Sequence, residues 1–267
     1  MEDPSSNSSR PASRSLESII TEGYSLDVGE HLSAGFKRFG QEPGIYVAFA
    51  LVYIALNMVA QSLPLVGILA GLLVSPPLLA GFIFYGRLQQ RNEHREFSAF
   101  FDGFRGSAWP SLVLQNILII VFLVLILVVA VLPFFLTFLQ DFFRDMLPIL
   151  TEQPEVMTDE EAREILSKVF PPAVVQAILL ATLLVIGVFT LFCLAPFFIV
   201  YRNLGAFEAL RASAKIVAKS YFKFLLLNVV LWLEIVAGFA LCCIGYLAAL
   251  PITYLSLASA YEEITGD

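Results

Sequence analysis

Charge is what this sequence is short of. Asp, Glu, Lys and Arg make up 15% of its 267 residues, while hydrophobic residues make up 58%. A soluble domain has about 25% charged and roughly 45–50% apolar residues. Too few polar side chains remain to cover a water-facing surface, which excludes a soluble enzyme and a disordered regulator. Cysteine is scarce as well. Cys193, Cys242 and Cys243 all lie in apolar runs, which excludes a disulfide framework and a zinc site. The two histidines, His31 and His94, stand alone; neither has the Glu-x-x-His or His-Glu-x-x-His setting of a metal centre. A basic excess is missing too: the net charge is −7, which argues against nucleic acid as a partner. No Gly-rich phosphate loop, nucleophile elbow or paired catalytic acid appears. The expectation is a non-enzymatic protein with no catalytic residue, metal or cofactor.

Long apolar runs are what the sequence does have, over 44–86, 110–133, 172–200 and 221–261. Crossing a hydrocarbon core of about 30 Å takes roughly 20 apolar residues as helix. The first and last runs are long enough for a hairpin each. Gln61-Ser62-Leu63-Pro64 supplies turn chemistry in the first, and 238–245 is the weaker turn in the last. Six spans result, at about 44–62, 65–86, 111–132, 174–200, 221–240 and 244–261. The runs are continuously apolar and do not alternate, so a β-barrel is not expected. The fold class is an all-α integral membrane protein.

Lys and Arg orient it. With both termini cytoplasmic, thirteen of the sixteen basic residues fall inside and only Arg144, Arg163 and Lys168 outside. The cytoplasmic membrane is the expected location. Residues 1–26 read as a disordered cytoplasmic tail, rich in Ser and without the apolar core of a signal peptide. Residues 27–265 read as one membrane domain. Its outer segment, 134–171, opens on Phe134, Phe135, Phe138, Phe142 and Phe143. After the break at Pro133 these suggest a helix lying at the outer interface, and Thr158 to Glu161 reads as the capping box of a second helix.

Three stretches resemble one another: LSAGFKRFGQEPGIYV from Leu32, FSAFFDGFRGSAWPSLV from Phe97 and LRASAKIVAKSYFKFLL from Leu210. Each sets apolar residues at helical spacing beside polar ones, immediately before a membrane run. A tyrosine closes each unit: Tyr85, Tyr201 and Tyr261, the residue type that prefers the membrane–water boundary. The chain therefore reads as three parallel repeats, each a cytoplasmic amphipathic interfacial helix followed by a helical hairpin.

Glu234 is the carboxylate well inside a span, an expensive position whose default reading is functional. Without a Lys or Arg in any span to neutralise it, an interhelical hydrogen bond to Tyr246 or Asn57 is the stronger reading. A polar crevice around Glu234, Asn228 and Asn57 is the alternative. Pro76-Pro77, Pro196 and Pro251 read first as kinks that ease packing, with helices broken around a substrate as the rival. Lys37, Arg38, Arg211, Lys215 and Lys219 on the interfacial helices are placed to hold anionic lipid headgroups. Membrane lipids are thus the expected partner; whether a second copy or another membrane protein joins them stays open.

Two segments carry a family resemblance. PLVGILAGLLVSPPLLAGFIFYGRLQQRNEHREFSAFFDGF, and LGAFEALRASAKIVAKSYFKFLLLNVVL followed by GYLAALPITYLSLASAYEEI, resemble uncharacterised bacterial six-span membrane proteins. Those are similar in turn to the membrane domain attached to some glycerophosphodiester phosphodiesterases. The soluble phosphodiesterase domain has no counterpart here. The resemblance therefore implies an inner-membrane protein and lends no catalytic residue. The leading expectation is a structural or lipid-associated membrane protein; the alternative is a small transporter or lipid-handling protein built around Glu234.

Overall fold

The computed structural model describes residues 14–62, 64–141, 143–144, 172–240 and 244–267. All regular structure among them is helical. In chain order the elements are α1 (Leu16–Glu22), α2 (Val28–Gln41), α3 (Pro43–Gln61), α4 (Pro64–Leu73), α5 (Ser75–Gln90) and a 3-10 helix (Phe97–Phe104). There follow α6 (Ala108–Asp141), α7 (Pro172–Phe192), α8 (Ala195–Arg202), α9 (Ala206–Lys219), α10 (Tyr221–Ala240) and α11 (Ile244–Thr265). Among the described residues five stretches are long and apolar enough to cross a membrane: Pro43–Gln61, Val66–Gln90, Ala108–Thr137, Val174–Arg202 and Tyr221–Ala240.

Prolines decide where two of these stretches break. The backbone leaves the helix at Val74 before Ser75-Pro76-Pro77 and again at Cys193-Leu194 before Pro196. Proline lacks an N–H and its ring collides with the preceding turn. Each break starts a new helix, α5 and α8, with proline in its first turn, where the missing donor costs nothing. Pro133 and Pro251 are instead carried inside continuous helices, as helices in lipid tolerate. That corrects the outer segment: Phe134 and Phe135 belong to α6 itself, not to a separate interfacial helix. The expected capping box at 158–161 lies outside the described residues.

Contacts divide the chain into two units, one of 1–118 with 190–267 and one of 119–189. In the larger unit the sixth expected span, α11, is not among the five membrane candidates. Its second half carries Ser256, Ser259, Glu262, Glu263 and Thr265, and it is the central helix of the unit. It packs against α2, α3, α5 and α10, and Leu255, Ala258, Ala260 and Ile264 have no exposed surface. Shielded on several sides, it needs no lipid-soluble face. Against α10 the backbones touch: a Cβ on Gly238 would stand 2.8 Å from the carbonyl carbon of Gly245, so only hydrogen fits.

The three similar stretches do not lie free at an interface. α2 packs on α11, α9 on α8, and the middle stretch forms a 3-10 helix seated on α5. Eight residues is long for that geometry. It is held by backbone contact, since a Cβ on Gly103 would come 2.3 Å from the Pro77 carbonyl oxygen and one on Gly81 2.2 Å from that of Phe100. Phe100 then stacks between Phe49 (4.2 Å) and Tyr85 (4.3 Å) at the centre of an aromatic cluster.

Of the expected disordered tail, 1–26, the described residues 14–26 are packed on the rest of the chain. Leu16, Ile19 and Ile20 make a short apolar stripe, Ser15 caps it by accepting from the Ser18 N–H, and Ile19 and Leu26 are buried. The Arg14 N–H donates to Thr265 O (2.7 Å) and the Tyr24 hydroxyl to Ile216 O (2.6 Å). Low apolar content in the tail as a whole hid this strap.

In the smaller unit, described from α6 and α7, an apolar cavity of about 290 Å³ is lined by Val131, Phe134, Phe135, Val174, Ala177 and Ile178, with Ala181. Val124, Leu125, Val129, Leu179 and Leu183 stand exposed. Side chains of this kind find no stable place in water and suit contact with lipid tails.

Candidate functional site

The polar chemistry of the larger unit gathers where α2, α5, α8 and α11 end. Each of the three closing tyrosines donates its hydroxyl to a carboxylate that is also paired with an arginine. Tyr85 donates to Glu42 (2.7 Å), which Arg95 grips at 2.6 and 3.1 Å. Tyr201 donates to Glu262, which also receives Arg38. Tyr261 donates to Asp267 (2.9 Å), which accepts from Arg202 at 2.7 Å. Gln89, buried, joins α2, α3 and α5 beside these groups. It accepts from the Tyr46 hydroxyl (2.7 Å) and donates to the Arg38 carbonyl (3.0 Å) and to Gln41 (3.1 Å). Such groups are charge-assisted, and among the described residues the buried Arg38 Nη1 finds no hydrogen-bond partner.

Electrostatics follow the contacts. The hydrogen bond from Arg95 holds the Glu42 carboxyl below its ordinary range; burial opposes it and the Tyr85 hydroxyl assists it. Burial works against the Arg38 charge, but the hydrogen bond and charge of Glu262 outweigh it and raise the guanidinium above its ordinary value. His31, without exposed surface between α2 and α11, is pushed below its ordinary value by burial, against the pull of Glu263, Glu30 and Asp27. Its Nδ1 lies 3.2 Å from the Ser259 hydroxyl and its Nε2 3.7 Å from Glu263.

The expected intramembrane cluster is not brought together by hydrogen bonds. Glu234 lies on the inner stripe of α10 with Phe224, Leu227, Leu231 and Gly238, and its Oε2 is buried with no hydrogen-bond partner. Neither Tyr246 nor Asn57 reaches it. Asn228 bonds back to Phe224 O (2.9 Å) and Asn57 to Tyr53 O (2.8 Å). Asn57 also accepts from the Ser75 hydroxyl (3.1 Å), which braces the α4–α5 break.

The expected lipid-facing basic residues part company. Arg38 turns inward to Glu262. Lys37, Arg211, Lys215 and Lys219 remain exposed. On α9 the buried face is Ala209, Ala212, Ser213, Ile216 and Val217. Its opposite face runs Phe207, Arg211, Lys215, Lys219 at intervals of four and continues to Phe222 and Lys223 on α10. Phe207 and Phe222 are 68% and 81% exposed. Sequence reasoning found the basic residues and the tyrosines but missed Glu42, Glu262 and Asp267. Their partners lie far along the chain or in another element, so no local spacing marks them.

These features define a class: a chain whose described regular structure is all helical, with several helices long and apolar enough to suggest a multi-pass membrane protein. No family model, curated protein or solved structure matches the chain. Nothing in these comparisons links it to the membrane domain of glycerophosphodiester phosphodiesterases.

Proposed function

We infer that the chain is a non-enzymatic, lipid-associated protein of a bacterial cytoplasmic membrane, with its Tyr–carboxylate–Arg end and both termini cytoplasmic. In this reading α11 serves as a sixth, protein-shielded span, and the six helices form three hairpins in repeated units. The observation that carries the reading is the outer face of α9. Its basic residues make no ion pair among the described residues, and exposed phenylalanines flank them at both ends. Aromatic rings sit well at the headgroup level, and each Lys or Arg near an anionic surface contributes about 1 kcal/mol.

The test is thermal unfolding in nanodiscs of phosphatidylcholine with and without phosphatidylglycerol. Wild-type protein gains stability from the anionic lipid, and 1 M salt removes most of the gain. Reversal of Arg211, Lys215 and Lys219 to Glu abolishes it, a loss of roughly 3 kcal/mol at about 1 kcal/mol each. An unchanged gain in the triple variant refutes the role of this face.

The unpartnered Oε2 of Glu234 supports a second reading, a transporter or lipid-handling protein that uses this carboxyl. Glu234→Gln then abolishes a transport or growth phenotype at normal expression. Full tolerance of Glu234→Leu removes that reading's one chemical anchor.

A further inference from the structure

Two adjoining cavities, of about 330 and 290 Å³, open beside the C-terminal turn of α5 and share Phe84 and Asp102 as a common wall. The first is walled on its polar side by Arg105, Ser107 and Asn203, the second by Arg87, Arg91 and Glu93. Both charge signs therefore line the adjoining pair, and Asp102 borders both cavities. Arg87 is already engaged: it donates to the Val200 carbonyl (2.8 Å) and lies 5.1 Å over the Tyr201 ring. That leaves Arg91 and Arg105 against Asp102 and Glu93, two cations and two carboxylates.

Those four charges are not locked to one another. Asp102 meets Arg105 at 2.7 Å, but the arginine side chain is 72% exposed. A surface pair three residues apart is a weak, exchangeable contact. Among the described residues Arg91 and Glu93 make no ion pair. Ser107, by contrast, is fixed by donating to Asn203 Oδ1 at 2.7 Å, so the floor is rigid while the charges stay available.

The groove lies where the membrane candidate Val66–Gln90 ends and Arg91 follows it. The end of a span is at the membrane–water boundary. A groove of paired opposite charges at that boundary complements a zwitterion, not a bare anion. We propose that the Asp102–Arg105 groove binds the headgroup of an ethanolamine phospholipid. Arg91 and Arg105 take the phosphodiester, and Asp102 and Glu93 accept hydrogen bonds from the ammonium. Choline headgroups have the same charges but no N–H to donate, and glycerol headgroups leave both carboxylates facing an anion.

The proposal rests on the lipid-associated reading above but uses a different surface and a different lipid. Native mass spectrometry of the full chain, released from detergent with phosphatidylethanolamine, phosphatidylcholine and phosphatidylglycerol in equal amounts, tests it. Wild-type protein retains the ethanolamine lipid about tenfold over the choline lipid, the ratio one charge-assisted hydrogen bond supports. Asp102→Asn and Glu93→Gln each reduce that ratio severalfold while the thermal midpoint holds. Equal retention of the two lipids, or an unchanged ratio in both variants, overturns the proposal. Equally tight binding of soluble glycerophosphoethanolamine overturns the lipid as its source. A chain that prefers ethanolamine lipid yet gains nothing from phosphatidylglycerol refutes the basic-face reading alone.

Discussion

Glu262→Ala lowers the thermal unfolding midpoint of the detergent-solubilised protein sharply, with a loss of about 3–5 kcal/mol. The carboxylate is 6% exposed and serves two partners at once, the Arg38 guanidinium and the Tyr201 hydroxyl. Truncating it strands a largely buried cation on α2 and an unpartnered hydroxyl on α8, and the desolvation cost of both remains. The pair itself is worth less than its loss suggests, because charges removed from water recover little net energy when they meet. Glu262→Gln keeps one acceptor and loses less than Glu262→Ala. The double variant Arg38→Met, Glu262→Leu recovers most of the loss, since no charge is left stranded. If the double variant is as unstable as Glu262→Ala, or if Glu262→Ala costs under 1 kcal/mol, this carboxylate does not hold α2, α8 and α11 together.

How much of this was legible in the residues differs by distance along the chain. Apolar run length revealed the helices of the membrane class, because spanning is a local property that composition can carry. The sixth run differs from the others in ending on polar residues: Glu262, Glu263 and Thr265 close α11, where the surrounding helices shield them. Pro133 misled, because proline ends helices in water but is carried inside helices in lipid, as it is inside α6. The tyrosines were visible as punctuation, yet the carboxylates they bind are not. Tyr85 and Glu42 are 43 residues apart, and Tyr201 and Glu262 are 61. Arg38 shows the same limit: on a helical wheel it belongs with Lys37, and only the packing of α2 on α11 turns it to Glu262. The headgroup groove was equally hidden, since Arg91, Asp102 and Asn203 come from three separate elements.

Phe100→Ala destabilises the protein by about 3–5 kcal/mol, the range for emptying a buried aromatic site. Phe100 has no exposed surface and lies nearly parallel to the rings of Phe49 and Tyr85, with interplanar angles of 19° and 5°. Phe82 and Tyr46 meet it edge-on at 6.0 and 5.9 Å. Each such pair adds about 0.5–1.5 kcal/mol beyond burial. The neighbours cannot collapse into the vacancy, because the 3-10 helix that carries Phe100 rests backbone to backbone on α5 through Gly81 and Gly103. Loss of the ring therefore loosens α5 against α3 and also loosens the end of the 3-10 helix that carries Asp102 and Arg105. Phe97, on the same helix but 37% exposed, is the control: Phe97→Ala costs no more than about 1 kcal/mol. Thermal midpoints of the two variants, measured side by side with the ethanolamine-lipid ratio, decide the point. Equal midpoints, or an unstable Phe100→Ala protein that keeps the full lipid preference, would separate the aromatic stack from the groove it is argued to support.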